Sequence, residues 1–361
     1  MAAQNWKYRV TNFRYTKLIA LLLLVFILAC IPVRVHSPYY MHLIIFTGMN
    51  AILAMTFIMM LRTGLISLGI AAFWGIGAYA SAALVLKAEL SFWVALPAAT
   101  LITAMIAWAI GFLLVRNPGF SFLILTTIIG MLVVLVFGNI KWLGGFTGIE
   151  YIPPPDPLDI PFLAPILFTS KIPYFYLMLA LFLLVCISFW ALYTSSIGRA
   201  WMAIGLNPHL AGSIGVNVFR YRLIAFVIAS TVTGLEGSFY AHYIGSINPH
   251  AFNIFKTIHI HIYAILGGIQ FVFLGPIIGT FIMTFVPESL RIAKEIEPIL
   301  TGALLILLTI FLPGGILSLL DLRHRDWRPF EGIVRITRSI TNSPTSIEQK
   351  REDNNVRSQK P

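Results

Sequence analysis

The stretch FSFLILTTIIGMLVVLVFGNI, residues 120–140, carries no charged side chain and is long enough to cross a bilayer as one helix. A transmembrane helix needs about 20 mostly apolar residues, because the hydrocarbon core is about 30 Å thick. Similar runs recur along the chain and predict an all-α polytopic membrane protein with about ten transmembrane segments, some of them half-helices or re-entrant. The predicted segments are 18–33, 39–61, 65–86, 91–115, 120–140, 173–193, 221–243, 257–271, 272–288 and 298–314.

The composition excludes a water-soluble enzyme. Hydrophobic residues make up 58% of the chain and charged residues 11%, whereas a soluble domain has about 45–50% and about 25%. The net charge of +11 belongs to short loops and chain ends, so membrane lipid and not nucleic acid is the expected surrounding. The first apolar run has the pattern of a signal peptide, but the many spans that follow favour an uncleaved membrane helix. Cys30 and Cys186 lie in apolar runs and indicate neither a disulfide nor a metal site.

The distribution of basic residues predicts the orientation. With an even number of spans and both termini in the cytosol, most of the 25 Lys and Arg residues fall on the cytosolic side, as the positive-inside rule requires. That count assigns Lys256 to an outside loop. The predicted organisation is a cytosolic N-terminal segment (1–17), a transmembrane permease domain (18–320) and a cytosolic, partly disordered tail (321–361). The permease domain is expected to contain a periplasmic loop (142–172) and a cytosolic coupling loop (194–219).

Few residues could carry chemistry. Glu236 is the acid that lies in the middle of a predicted span, where a charge is costly and must face protein, water or a partner. It is either a pathway residue or a structural carboxyl, protonated or bonded to Thr233. His259 and His261 are about 200° apart on a helix and cannot share one metal ion. The chain has no GxxxxGK phosphate loop, so neither catalysis nor a cofactor in this chain is expected.

Two segments are interrupted by glycine, Thr63–Ser81 and Leu266–Thr280. In the second, Gly275–Pro276 is expected to break a helix, because proline lacks the N–H group. Paired interrupted segments, one in each half of a chain, indicate a transport pathway at a repeat interface; ordinary small-residue packing is the alternative. The pathway candidates are Ser67, Gly69, Phe73, Gly75, Gly77, Tyr79, Glu236, Gly267 and Gly268.

The predicted cytosolic loop 194–219 is expected to contain two short helices. Helical spacing covers the first piece, Gly205 can end it, and Asn207 followed by Pro208 is a good start for the second. Such a solid knob fits the cleft of a partner, whereas a plain interfacial linker is the alternative. The residues that carry this prediction are Ala200, Ala203, Ile204, Asn207, Pro208 and Gly215.

The motifs together resemble the permeases of branched-chain amino-acid ABC importers, specifically their M-type (LivM-like) membrane subunit, over roughly Leu61 to Ile316. The pattern G-x-[LI]-S-L-G-x-A-x-F-x-x-I-G-A-Y matches Gly64–Tyr79, and G-R-A-x-x-A-I matches Gly198–Ile204. Each motif alone is weak, whereas the ordered set is specific. The remaining matches are Arg116, Gly119, Phe122, Ile124 and Thr126; Leu143–Ile149; Gly215–Asn217; Tyr221 and Arg222; Ala225 and Phe226; Gly234 and Gly237; Ile247–Pro249; Leu266–Gly268; Gly275, Pro276 and Gly279; and Pro313–Ile316.

This resemblance implies one of two membrane subunits of an importer in the bacterial inner membrane. A second, homologous H-type permease, ATP-binding cassette subunits that bind the ATP, and a periplasmic substrate-binding protein would be its partners. Gly198 and Arg199 would join the coupling loop up to Gly215, and Thr126 would join the pathway. Branched-chain amino acids, or a related small polar solute such as urea or an amide, would be the cargo. A secondary transporter driven by an ion gradient, with Glu236 and His259 as ion sites, is the alternative.

Overall fold

A computed structural model describes residues 31–34, 37–157, 167–290, 302 and 315–319. Within these ranges the regular elements are helices, apart from one antiparallel bridge between Ile149 and Ile247. The prediction of an all-α protein is therefore confirmed. The helices are α1 (Pro38–Leu61), α2 (Ile70–Ala88), α3 (Phe92–Leu114), α4 (Phe120–Asn139), α5 (Lys171–Thr194), α6 (Ser196–Leu206), α7 (Pro208–Ser213), α8 (Val218–Ile244), α9 (Ile254–Gly267) and α10 (Leu274–Leu290).

Short helical turns fill some of the connections, namely Ile31–Arg34, Lys141–Leu143, Gly145–Thr147, Pro249–Phe252 and Ile316–Leu319. Six of the described helices are long and apolar enough to cross a membrane: α1, α2, α3, α4, α5 and α8. Their positions agree with six predicted spans. Helices α9 and α10 are shorter, with 14 and 17 residues. The predicted span 298–314 and most of 18–33, like the two terminal segments, lie outside the described residues, so the count of about ten is not confirmed.

Two predicted boundaries are wrong. Helix α2 begins at Ile70 and not at residue 65, because residues 63–69 form a turn followed by non-helical chain. Gly275–Pro276 does not break a helix either. Both residues lie in the first turn of α10, where a missing N–H group costs nothing. The chain is interrupted earlier, at Gly268, whose φ of 113° ends α9.

The centre of the bundle is the crossing of α2 and α8. A β-carbon added to Gly77 would lie 2.1 Å from the carbonyl oxygen of Gly234, and one added to Gly237 would lie 2.0 Å from that of Trp74. The two backbones therefore touch, as small residues allow in membrane helices. Helix α1 is mostly buried beside this crossing, whereas α4 is mostly exposed. The exposed apolar faces of α3, α4 and α5 suit contact with lipid.

The connections gather at two opposite ends of the bundle. At one end, which we call the knob end, helix α6 lies against the end of α1 and is followed by α7, and the guanidinium of Arg62 donates to the carbonyl of Gln270 at 2.8 Å. At the other, the loop end, the Asp156 carboxylate accepts from the Phe92 N–H at 2.9 Å. The bridge between Ile149 and Ile247 lies at the loop end as well. The described part of the predicted loop 142–172 is thus packed onto helix ends.

Candidate functional site

The extended segment, residues 63–69, is the unusual backbone of this bundle. It leads from the end of α1 into α2 without helical hydrogen bonds, and Ser67 is buried in it. Non-helical backbone at membrane depth is tolerated only where protein or a water-filled cavity satisfies its polar groups. Threonine side chains satisfy backbone N–H groups here: Thr126 Oγ1 accepts from Leu68 N at 3.1 Å, and Thr257 Oγ1 accepts from Ala71 N, at the start of α2, at 3.0 Å. Three distant parts of the chain therefore meet at this segment.

An arginine holds the start of the extended segment in place. Arg222 of α8 is buried, and its Nε donates to the carbonyl of Thr63 at 3.0 Å. The adjacent Gly64 has a φ of 72°, a conformation that glycine adopts without strain. A buried guanidinium is costly unless its donors find acceptors, so this contact couples the position of the segment to α8.

The structure separates the predicted pathway residues into two groups. Ser67, Gly69 and Thr126 lie together at the extended segment, where the Ser67 hydroxyl accepts from Gly69 N at 3.2 Å. The others on α2 lie in contacts between helices, which is the packing alternative that their composition left open. Phe73 meets Phe226 edge to face, Gly75 lies against the Phe252 ring, Gly77 against Gly234, and Tyr79 stacks on Phe137 at 4.3 Å.

Gly267 and Gly268 lie at the second interruption, between α9 and α10. A β-carbon on Gly267 would meet the carbonyl of Gly275, and one on Gly279 would meet that of Tyr263. The two short helices therefore approach each other backbone to backbone. Six residues, 268–273, connect the two helices, and Gln270 among them lies at the knob end, where its carbonyl accepts from Arg62.

Glu236 is buried at 1% exposure in the middle of α8, and neither carboxyl oxygen has a hydrogen-bond partner among the described residues. Thr233 does not bond to it, because its hydroxyl donates to the carbonyl of Ala229 at 2.8 Å. That part of the structural alternative is wrong. Glu236 and Lys256 both lie near Trp74: the Lys256 ammonium is 5.3 Å from the centre of its ring, and Gly237, the residue after Glu236, packs against its carbonyl.

Sequence reasoning missed the position of Lys256 by assigning it to an outside loop. The structure places it in the first turn of α9, where its Nζ donates to Asn50 Oδ1 of α1 at 3.1 Å. Asn253 immediately before α9 is the signal that could have found this, since its side chain accepts from Lys256 N as an N-cap. Lys256 is thus a partly buried basic side chain inside the described bundle, in addition to the buried Arg222.

The two histidines on α9 face different surroundings. The His261 ring is buried, lies 3.9 Å from that of Phe57, and donates through Nδ1 to the carbonyl of Thr257 at 2.6 Å. His259 is exposed, 6.4 Å from the Tyr263 ring. Among the described residues, no group of three or more His, Cys, Asp or Glu side chains could hold a metal ion.

The structure has the two short helices predicted in the loop 194–219, α6 and α7, which we call the knob. Asn207 joins them, and its Oδ1 accepts from His209 N at 3.0 Å and from Leu210 N at 3.1 Å. This is the N-cap that the sequence predicts, and Pro208 is the first residue of α7. Gly215 follows with a φ of 88°, which turns the chain back into α8.

The inner side of the knob fixes it to the bundle. The Trp201 side chain is fully buried and donates to the carbonyl of Tyr221 at 2.9 Å. Gly205 lies so close to the end of α1 that a β-carbon would stand 2.3 Å from the carbonyl oxygen of Arg62. Among the predicted coupling residues, Gly198, Ala200 and Ile204 also face inward, Ala203 is half-buried and Arg199 is exposed.

The outer side of the knob is apolar and was missed by the sequence reasoning. Met202, Leu206, Leu210 and Ile214 are exposed by 44%, 89%, 64% and 71%. Met202 and Leu206 lie on α6, one helical turn apart, whereas Leu210 lies on α7 and Ile214 directly follows it. We call these four residues the apolar stripe of the knob. Contiguous apolar surface that protrudes from a helix end marks an interaction site. The knob therefore combines a rigid attachment to the bundle with exposed apolar side chains that are available for contact with a partner.

A bundle of membrane helices with interrupted segments and a rigid knob defines a membrane transport subunit. The chain belongs to the family described as the permease component of the branched-chain amino-acid transport system, whose sequence model matches residues 39–313. It is thus an ABC-transporter permease, a multi-pass protein of the bacterial inner membrane. The family is a class of transporters and not of enzymes.

Relatives support this membership. The high-affinity branched-chain amino-acid transport system permease protein LivM of Salmonella typhimurium strain LT2 is 27% identical over 305 residues, which cover 80% of this chain and 70% of LivM. The corresponding permease protein LivH of Escherichia coli K12 is 29% identical over 126 residues, or 34% and 40% of the two chains. The guanosine ABC transporter permease protein NupQ of Bacillus subtilis 168 is 28% identical over 192 residues, or 50% and 59%. No solved structure matches.

Proposed function

We propose that this chain is the M-type permease subunit of an importer that carries branched-chain amino acids inward, driven by a separate ATP-binding subunit. The observation that carries the proposal is the knob, an exposed apolar surface on a rigid base. The sequence contains no GxxxxGK phosphate loop, and in the proposed importer the energy for transport arrives through a contact with the ATP-binding subunit. The knob is the surface suited to that contact.

The packing of the knob explains how it would transmit movement. Gly205 touches the end of α1 and Trp201 is bonded to the start of α8. A displacement of the knob by an ATP-binding subunit would therefore move α1 and α8 as rigid bodies, since packed helices shift and do not deform continuously. Arg222 of α8 in turn holds the extended segment, so the same movement would reach the pathway.

The pathway is proposed to pass beside the extended segment and α9. Ser67 and Thr126 supply polar groups at the segment, Thr257 supplies one at the start of α2, and His259 is an exposed polar side chain of α9. A second permease subunit would complete this face, because a polar side chain such as His259 is costly against lipid. LivH, the second type of permease protein among the relatives, is the model for that partner.

The proposed cargo follows the relative that covers most of the chain. LivM, a permease protein of the high-affinity branched-chain amino-acid transport system, aligns with 80% of the sequence. The guanosine permease NupQ aligns with 50%. A periplasmic binding protein would deliver the solute to the loop end. The basic residues Arg62, Arg116, Arg199 and Arg220 flank helices toward the knob end, which supports a cytosolic knob and cytosolic termini.

A pull-down with the ATP-binding subunits tests the coupling surface. We expect Leu206→Glu and Leu210→Glu to abolish co-purification, because each places a charge on the apolar stripe without touching the buried base. Tyr151→Glu is the matched control, since Tyr151 is also 89% exposed but lies in the loop-end segment. Retention of the ATP-binding subunits by both knob variants, or their loss in the control, would contradict the assignment.

An ion-driven secondary transporter is the second candidate function, and the buried carboxylate of Glu236 is the observation that favours it. Such a protein would use Glu236, with His259, as an ion or proton site. Uptake by the purified chain alone, driven by a proton or sodium gradient and lost in Glu236→Gln, would establish this second function in place of the first.

A further inference from the structure

The loop end is crossed by residues 149–156, which we call the strap. Backbone hydrogen bonds hold its first half against the chain that follows α8. Ile149 and Ile247 exchange two N–H···O bonds at 2.8 and 2.9 Å, and the N–H of Ile152 donates to the carbonyl of Gly245 at 2.9 Å. Because α8 crosses α2 at the centre of the bundle, the strap lies at the end of a central helix.

A buried histidine fixes the second half of the strap. His242 lies in the last turn of α8, is 2% exposed, and bonds through Nδ1 to the carbonyl of Pro153 at 2.8 Å. A carbonyl can only accept, so Nδ1 carries a proton, and Nε2 faces the hydroxyl of Ser81 on α2 at 3.0 Å. That hydroxyl accepts from Ser238, one turn before His242, at 2.7 Å. This chain of bonds gives the ring one orientation and ties the strap to both central helices.

The strap is stiff beyond this bond. Residues 153–155 are three prolines, whose rings fix the backbone angle φ. The Asp156 carboxylate then accepts from the N–H of Phe92 at 2.9 Å, and the Asp156 carbonyl accepts from Trp93 Nε1 at 3.1 Å. The strap is thus fastened to α8, α2 and α3. A surface that is ordered in advance loses little entropy when a partner docks on it.

Tyr151 is the side chain that the strap presents. It lies between the bonded residues Ile149 and Ile152, has a φ of 60°, and is 89% exposed. A left-handed backbone is unfavourable for tyrosine, and such strain persists only where the surrounding structure imposes it, often at functional sites. The adjacent Glu150 is exposed as well, and both charged residues of the strap, Glu150 and Asp156, are acidic.

We propose that Tyr151 anchors the periplasmic binding protein on this permease, and that His242 is a positioning residue that holds the strap, and with it Tyr151, in place. This inference rests on the proposed function, which assigns the loop end to the outside and supplies the partner. The surface that fits is an apolar pocket for the phenol ring, with basic side chains that face Glu150. His242 is buried and acts only through the strap.

Leucine uptake by the complete complex in vesicles, measured at rising concentrations of leucine-loaded binding protein, tests the anchor. We expect Tyr151→Ala to raise the concentration for half-maximal uptake by about tenfold or more. The maximal rate and the Tm should stay unchanged, because the side chain is exposed. Glu150→Lys should raise that concentration too, and more strongly at low salt. Trp142→Ala is the matched control, since Trp142 is an exposed aromatic residue outside the strap, close to the end of α4.

Two variants of similar shape separate positioning by His242 from simple packing. The amide nitrogen of asparagine can take the place of Nδ1, and the amide of glutamine can take that of Nε2. His242→Asn therefore keeps the bond to Pro153, whereas His242→Gln keeps the bond to Ser81. Each variant loses one buried hydrogen bond, so both should lower the Tm by similar amounts. His242→Gln should raise the half-maximal concentration of binding protein by about fivefold, and His242→Asn by less than about twofold.

Equal half-maximal concentrations in the two His242 variants, or a wild-type value in Tyr151→Ala, would overturn the inference. So would equal losses in Tyr151→Ala and Trp142→Ala, which would indicate aromatic anchoring at the membrane surface instead. Failure of the proposed function has a different signature. In that case the wild-type complex takes up no leucine at any concentration of binding protein, and the inference falls with it.

Discussion

The contact between α2 and α8 makes a quantitative prediction for Gly77→Ala. The new β-carbon would stand 2.1 Å from the Gly234 carbonyl oxygen, whereas ordinary contacts begin at 3.4 Å, so the helices must separate by about 1.3 Å. A backbone carbonyl cannot rotate away, so the overpacking cost is expected in the upper part of its usual range, at about 2–3 kcal/mol. Alanine regains up to about 1 kcal/mol of helix propensity. The net loss of about 1–2 kcal/mol corresponds to a fall in Tm of about 2–8 °C.

Thermal unfolding of the purified protein in detergent, followed by size-exclusion chromatography, measures this change. Gly130→Ala is the control, because its β-carbon would lie 3.8 Å from the nearest atom, the Leu68 carbonyl oxygen. It should leave Tm unchanged or slightly raised. A Gly77→Ala variant as stable as the wild type would refute the argument from packing. If that variant also lost uptake, Gly77 would belong to the pathway.

Two further variant pairs test the knob and the extended segment. Gly205→Ala should push the knob off the Arg62 carbonyl and weaken ATP-dependent uptake. Gly212→Ala is the control and should leave uptake unchanged, because a β-carbon there has no neighbour within 4 Å. Equal uptake by the two variants would contradict the rigid attachment of the knob. Thr126→Val should cost about 1–3 kcal/mol and show as a lower Tm, because it leaves a buried backbone N–H unsatisfied. Thr127→Val should be nearly neutral, since that hydroxyl bonds only its own helix; matching losses in the two variants would disprove the role of the Thr126 bond.

The long helices could be predicted because a span is a local property of about 20 apolar residues. The start of α2 could not. Residues 65–69 are as apolar as the helix they precede, and what keeps them non-helical is a set of contacts with Thr126 and Thr257, which lie 58 and 186 residues away from their partners. Such distant hydrogen bonds leave no periodic signal in the sequence.

In the candidate site, too, features set by neighbouring residues could be predicted, whereas features set by distant contacts could not. Asn207 and Pro208 predict the two helices of the knob correctly, because capping depends on neighbouring residues. Lys256 was placed in a loop because its acceptor, Asn50, is 206 residues earlier in the chain. The apolar stripe of the knob could not be predicted from spacing, because the extended Asn207 interrupts the helical period between Leu206 and Leu210, and only the structure shows which side chains the bundle covers.

Reconstitution into lipid vesicles tests the central claim most directly, namely that this chain moves solute only when another protein drives it through the knob. Radiolabelled leucine uptake would be measured with the purified chain alone, under proton and sodium gradients, and with the complete complex supplied with ATP and the binding protein. We expect uptake only in the complete complex, and its loss in Leu206→Glu. Gradient-driven uptake by the single chain would contradict the account.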